Sequence, residues 1–245
     1  VERPWSVAPV RMSIDDVRWQ LYHISDDYSE AVDLASQQPA KLRDLQDLFW
    51  IEAARNHVLP IILGKVAPGP PKPSPALGRT RFVLYPGMAR VPYGVAPGLS
   101  GGRSFEAVAD VDIPKSGGSG ILFTQGGRFG GCGLYLLNGK LVYHYNMMDS
   151  AQYGVTSDAV VPPGPHTLGV DFKYDGGGFG KAGTATLLVD GKPVGSGRVE
   201  RTAPFGQGYS EGLDIGLDTG TPVSEDYQVP FAFNGTLARV TVTLK

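Results

Sequence analysis

The chain has 245 residues, enough for one large domain or for a domain with an appendage. Its 22 Lys and Arg nearly balance 24 Asp and Glu, so no charge excess points to nucleic acid or an anionic membrane surface. A hydrophobic content of 42% argues against wholesale disorder, and 34 glycines with 20 prolines disfavour an all-helical chain.

The chain opens Val1-Glu2-Arg3-Pro4-Trp5, with no initiator methionine and no basic-then-apolar signal segment. It reads as processed or as a piece of a longer protein. No apolar run reaches the ~18 residues of a membrane span. Val17 to Ile24 alternates, is rich in β-formers and ends at Ser25-Asp26-Asp27, which predicts a strand. Pro39 is placed for a helix start. Leu42, Leu45, Leu48 with Phe49, and Ala53 follow at spacings of three and four, predicting one apolar stripe that ends near Asn56 and Pro60. Pro68, Pro70, Pro71, Pro73 and Pro75 then mark residues 67–78 as an extended linker.

From Arg79 onward the chain reads as all-β. Strands are predicted over 81–85, 105–113, 120–125, 133–137, 140–146, 166–174, 184–189 and 237–244. Asn138-Gly139 and Asp190-Gly191 are two-residue hairpin signals. Val240, Val242 and Leu244 alternate with Arg239, Thr241 and Thr243, so one face of that strand is wet. The expected fold is mainly β, an antiparallel β-sandwich of jelly-roll type, preceded by a strand and a helix. The expected organisation is 1–66, a linker over 67–78, and a sandwich over 79–245.

Recognisable chemistry is sparse. His23, His57, His144 and His166 are scattered, with no partner at metal-ligand spacing. The single cysteine, Cys132, excludes an intrachain disulfide and has no activating base nearby. Gly178-Phe179-Gly180-Lys181-Ala182-Gly183 matches a dinucleotide fingerprint in form, but a strand follows where a helix is needed. Asn234-Gly235-Thr236 is a formal glycosylation sequon. Asp214, Asp218, Glu225 and Asp226 either offer oxygen ligands to a cation such as calcium or build turns through side-chain-to-backbone bonds. Tyr143, Tyr145, Tyr153 and Tyr209 either form a sugar-stacking platform or fill the core and rim. No catalytic, cofactor-binding or metal-ligating residue is assigned.

Several fragments, in order, resemble the C-terminal region of bacterial type I sulfatases, the arylsulfatases. They are Trp19-Gln20-Leu21-Tyr22, Asp26-Asp27, Glu30 to Ala35, Leu42 to Ala54 and Asn56-His57-Val58-Leu59-Pro60. Gly78 to Phe82, Tyr85 to Met88, Gln125 to Gly131, Asp175 to Gly178 and Asp218 to Ser224 are similar to the β-sandwich tail of the longer members. The resemblance implies that 1–66 ends a sulfatase α/β domain and that 79–245 is a sandwich of the concanavalin and laminin-G kind. It implies an arylsulfatase-like sulfuric ester hydrolase as parent, with that upstream catalytic domain as partner and a carbohydrate or sulfate ester as possible substrate. Formylglycine and calcium are then expected only upstream, and bacterial cytoplasm or periplasm as the location. The formylglycine motif C/S-x-P-x-R is missing here: Cys132 is followed by Gly133-Leu134-Tyr135-Leu136, and Val7-Ala8-Pro9-Val10-Arg11 has valine at the nucleophile position. The chain is therefore expected to be inactive alone. A carbohydrate-binding lectin-like module and a purely structural or oligomerisation domain are the alternatives.

Overall fold

A computed structural model describes residues 17–59, 74–76, 78–99, 102–203 and 211–245. The Val7–Arg11 fragment, Pro60, most of the proline-rich linker and Tyr209 lie outside the described residues. The chain divides into two compact units, Val1–Lys72 and Pro73–Lys245.

The first unit holds one helix, α1 (Pro39–Arg55), with proline in its first turn and Asn56 at its C-cap. The predicted strand over 17–24 is not one. It joins no ladder among the described residues. Leu21 instead closes onto a local turn: its N–H donates to Asp33 Oδ1 (3.1 Å) and its carbonyl accepts from Leu34 N–H (2.8 Å). Asp27 likewise accepts from the N–H groups of Ala31 (3.0 Å) and Val32 (2.8 Å). Backbone donors hold both carboxyls below their ordinary values, Asp33 through the N–H groups of Ala35 (2.9 Å) and Leu21, Asp27 through those of Ala31 and Val32. The acidic residues of this stretch are thus turn builders. The helix stripe is only partly covered. Ala53 is buried and Phe49 meets Trp19 edge-to-face at 5.3 Å, whereas Leu45, Leu48 and Ile51 are exposed.

The second unit is built of antiparallel strands: β1 (Arg81–Leu84), β2 (Phe105–Ile113), β3 (Gly120–Gly127), β4 (Gly130–Leu137), β5 (Lys140–Met147) and β6 (Ala151–Val160). Then come β7 (Gly164–Tyr174), β8 (Gly183–Val189), β9 (Lys192–Val199), β10 (Leu213–Ile215), β11 (Leu217–Asp218), β12 (Phe231–Ala232) and β13 (Thr236–Leu244). They form a six-stranded sheet in the order β1-β13-β2-β7-β8-β9 and a five-stranded sheet in the order β10-β3-β4-β5-β6, with β11 and β12 paired alone. Asn138-Gly139 and Asp190-Gly191 form the β4–β5 and β8–β9 hairpins, with positive φ at all four residues, as a right-twisted hairpin requires.

The six-stranded sheet has one wet face. Phe105, Ala107, Ala109, Val111 and Ile113 of β2 are buried, and the residues between them are not. These side chains meet Leu134, Leu136, Leu141, Tyr143 and Tyr145 of the other sheet in the main core. Strands β3, β4 and β5 of the five-stranded sheet are covered on both faces, whereas the outward side of β6 is exposed. Ile121, Tyr135 and Val142 point the other way and form a second cluster with Val223 and Tyr227 from the loop after β11. This explains the unbroken apolar runs of β3, β4 and β5, whose residues are nearly all buried. At one side of the sandwich the edge strands β6 and β9 approach closely. A Cβ at Gly195 would sit 2.8 Å from the Thr156 carbonyl oxygen, and one at Gly197 would sit 2.7 Å from a Val155 methyl. Among the described residues, no helix is long and apolar enough to cross a membrane.

Candidate functional site

The outer face of the five-stranded sheet carries a polar cleft beside the loop that covers it. Alternation along β5 sends Leu141, Tyr143 and Tyr145 into the main core and Val142, His144 and Asn146 to the other side. Val142 lies under the covering loop, while His144 and Asn146 are polar yet buried. Across the ladder, Asn146 faces Gln152 and His144 faces Gly154.

Asn146 organises the cleft. Its amide donates to the Arg128 carbonyl (2.9 Å) and, over longer contacts, to the Gly127 and Val223 carbonyls (3.4 Å each). Its Oδ1 accepts from Asp149 N–H (2.8 Å). One side chain therefore ties the β3–β4 hairpin tip, the covering loop and the β5–β6 turn together. A second tie runs through Thr221. The Arg128 N–H donates to Thr221 Oγ1 (2.9 Å), and Thr221 donates its N–H (2.7 Å) and hydroxyl (2.7 Å) to Glu211. The fragments Gln125–Gly131 and Asp218–Ser224, about ninety residues apart, thus meet at one place.

Arg128, Asn146, Asp149, Gln152, Ser224 and Glu225 are among the residues that line a depression of about 40 Å³. That is room for one or two hydroxyl-sized groups, with the body of a ligand left outside. Gln152 is set from behind: its Oε1 lies 2.6 Å from His144 Nε2, so an imidazole N–H there leaves the amide donors of Gln152 for the cleft. His144 Nδ1 is buried with no partner. The lining residues include an arginine, two acidic residues and an amide, while the buried Ser224 hydroxyl is already engaged by the Asp226 N–H (3.1 Å). Mixed donors and acceptors of both signs suit adjacent hydroxyl groups better than a strongly charged ligand.

The four acidic residues of the 214–226 stretch do not converge. Asp214 accepts from the Arg90 N–H (2.5 Å) and from the N–H and hydroxyl of Thr219 (3.1 Å each). Asp218 accepts from the Tyr227 hydroxyl (2.6 Å) and Gly220 N–H (3.3 Å), Asp226 accepts from Tyr135 (2.7 Å), and Glu225 lines the cleft. Among the described residues, no three Asp, Glu, His or Cys groups are placed to hold a metal ion. Tyr143 and Tyr145 are core residues and form no exposed platform; Tyr153 packs against the core from the rim. His23 pairs with Asp26 (2.7 Å) in the first unit, and His166 with Asp190 (2.8 Å) on the six-stranded sheet of the second. The Cys132 thiol lies in the main core, where burial pushes it up to about 12. Such a thiol is neither a ready nucleophile nor an accessible target for oxidation. Gly183 opens β8, so a strand does follow the glycine fingerprint.

Asp218 gives the covering loop a pH dependence. Burial, with Asp214 and Glu211 adding repulsion, pushes its carboxyl from 3.8 up to about 6. The folded protein then holds this proton more tightly than the unfolded chain. Its contribution to stability is present at low pH, falls as pH rises from 3.8 through about 6, and is fully lost above that. The difference amounts to roughly 2–3 kcal/mol. Asp218→Asn mimics the protonated form, so its stability relative to wild type should rise between pH 4.5 and pH 7.5. Thermal melts of both proteins across that range check this, and a constant difference would sink it.

No protein-family model and no curated protein matches the chain. Among solved structures it is similar to domains LG4-5 of the mouse laminin alpha1 chain, at 17% identity and a TM-score of 0.40. That match covers 66% of this chain and 41% of the other, so the chain spans about two-fifths of that structure's length. It is also similar to the CBM40 of the Ruminococcus gnavus IT-sialidase (14% identity, TM-score 0.40, 58% of this chain and 75% of that one). A third is sheep galectin-11 (10% identity, TM-score 0.34, 67% and 98%). Likenesses this distant bear on neither ligand nor activity.

Proposed function

We propose that the second unit is a lectin-like module, a sandwich of the concanavalin and laminin-G kind, that binds carbohydrate at the cleft beside Asn146. The observation that supports this is the cleft itself. Arg128, Asp149, Gln152, Ser224 and Glu225 line a space of hydroxyl size, and Asn146 ties together the segments that carry them. Preformed polar groups of mixed sign are what recognition of an uncharged, hydroxyl-rich ligand needs. Calorimetric titration of the whole chain with neutral oligosaccharides should show saturable binding. Gln152→Ala and Asp149→Ala, both in the lining, should weaken it by about tenfold each, in proteins that a thermal melt shows to be folded. Absence of binding across a broad neutral glycan panel, or binding indifferent to both substitutions, would overturn the reading.

A second reading makes the chain the C-terminal accessory part of an arylsulfatase-like protein. Two observations favour it. The order of resembling fragments runs through both units, and the first unit leaves Leu45, Leu48 and Ile51 of α1 exposed, as a helix removed from a larger domain would. The buried Cys132 does not fit the formylglycine role, so no hydrolytic step is assigned to these residues. Incubation with an aryl sulfate should give no turnover; turnover by the purified chain would end this reading. The two readings are compatible, since a module that holds glycan can serve a hydrolase that acts on it.

A further inference from the structure

A second cleft of the sandwich unit is lined by two arginines that have no acidic partner among the described residues. It has a volume of about 350 Å³ and is lined by Arg79, Thr80, Phe82, Tyr93, Arg103 and Leu244, among others. Phe82 and Leu244 are buried and give it an apolar floor. The Tyr93 hydroxyl lies against the backbone of Gly98, where an added Cβ would be only 3.3 Å away. Partial burial raises the Tyr93 phenol, and the Arg103 guanidinium beside it opposes that rise.

Some basic groups of the sandwich are paired: Arg198 with Asp175 (2.7 Å), Arg239 with Asp110 (2.7 Å), and Lys245 with Asp171 (2.7 Å) and Glu106 (3.2 Å). Among the described residues, Arg79 and Arg103 have no acidic partner, and no carboxylate lines the cleft. This occurs in a chain whose net charge is −2. Two guanidiniums on one concave, partly apolar surface form a site for a planar or tetrahedral oxyanion, which each can grip with two N–H donors. The apolar floor and the Tyr93 ring supply a face for the body that carries the anion.

We propose that this cleft binds an acidic sugar unit, with its sulfate ester or carboxylate on Arg79 and Arg103 and its ring over Phe82 and Leu244 beside Tyr93. The oxyanion part stands on the cleft alone. Only the sugar body rests on the carbohydrate reading above, and it concerns a different surface.

Amide-resolved NMR titration of the whole chain with glucose 6-sulfate, glucuronate, inorganic sulfate and glucose tests this. Glucose 6-sulfate should move the signals of residues 79–82 and 93–98, and added NaCl should weaken the effect. Inorganic sulfate should move the same signals more weakly, and glucose should leave them unmoved. Glucuronate in place of the sulfated sugar tells whether a carboxylate suffices. The double variant Arg79→Ala/Arg103→Ala should raise the dissociation constant by about tenfold or more. Arg79→Lys/Arg103→Lys should recover part of it, because charge returns without the fork. Both arginines are exposed, so these variants should keep the wild-type melting temperature. Gln152→Ala should bind glucose 6-sulfate normally, which separates this cleft from the first. Glucose binding as well as its sulfate, undiminished affinity in the double alanine variant, or no shift at these residues would each overturn the proposal.

Discussion

Tyr227→Ala should cost the sandwich about 3–5 kcal/mol and lift the covering loop from the five-stranded sheet. The ring stacks on Phe231 at 4.6 Å and meets Tyr135 edge-to-face at 5.3 Å. Its hydroxyl donates to buried Asp218 (2.6 Å) and accepts from the Val223 N–H (3.2 Å). Alanine removes the ring from the second cluster and leaves Asp218 Oδ2 and the Val223 N–H without their tyrosine partner, each a further cost of about 1–3 kcal/mol if water cannot reach them. With the loop lifted, Ile121 and Val142 lose their cover and Ser224 and Glu225 leave the cleft. Glycan affinity should therefore fall together with stability. Tyr227→Phe keeps the ring and loses only the hydroxyl, so it should cost about 1–2 kcal/mol. Urea unfolding of the three proteins checks the order, and a loss below 1 kcal/mol for alanine would show that the loop is not held by this residue.

Gly126→Ala should be the more damaging of two single-methyl changes at similar backbone angles. Gly126 has a φ of +95°, and a Cβ there would lie 2.2 Å from the Gly130 carbonyl oxygen and 2.8 Å from the Gly131 Cα. Both neighbours are backbone in the paired β4 strand, so the hairpin tip must change shape. The cost should be several kcal/mol, and Arg128 should lose its place above Asn146. Gly176 is the control. Its φ is +77°, but nothing lies within 4 Å of an added Cβ. Gly176→Ala should cost only about 1–2 kcal/mol for the left-handed backbone. Equal losses at the two sites would show that steric closure of the tip does not matter.

Much of the fold was legible in local pattern. Strand β2 matches its predicted bounds, and β13 alternates as Val240, Val242 and Leu244 indicate, because one core face and one wet face impose a period of two. The antiparallel sandwich stands, and α1 starts at Pro39 as expected. The missed strands β6 and β9 are edges. Gln152, Gly154, Asp158, Pro193, Gly195 and Gly197 give them little intrinsic strand preference, and their ladders are imposed by β5 and β8. The strand expected over 17–24 fails for the converse reason. Its residues favour β, but only a turn is there to bond Leu21.

The site was less legible. Arg128 and Ser224 sat in fragments already singled out, but Asp149 and Gln152 were not marked. The usable signal was in β5, where His144 and Asn146 interrupt an apolar strand buried on both faces. A polar pair at such positions needs partners, and those partners define the cleft. The acidic stretch left two readings open, a cation site or turn building. In the covering loop Asp214, Asp218 and Asp226 anchor backbone and tyrosine groups. Sequence proximity does not say which way four side chains turn.

The close meeting of β6 and β9 has a bearing on solubility. Two sheets end in exposed margins on the same side, and unsatisfied margins invite a stray chain to extend them. Gly195 and Gly197 let the rims fold onto Thr156 and Val155, so each denies the other a foreign guest. A bulkier residue at either position would pry the rims apart, and oligomers would then grow from an otherwise intact molecule.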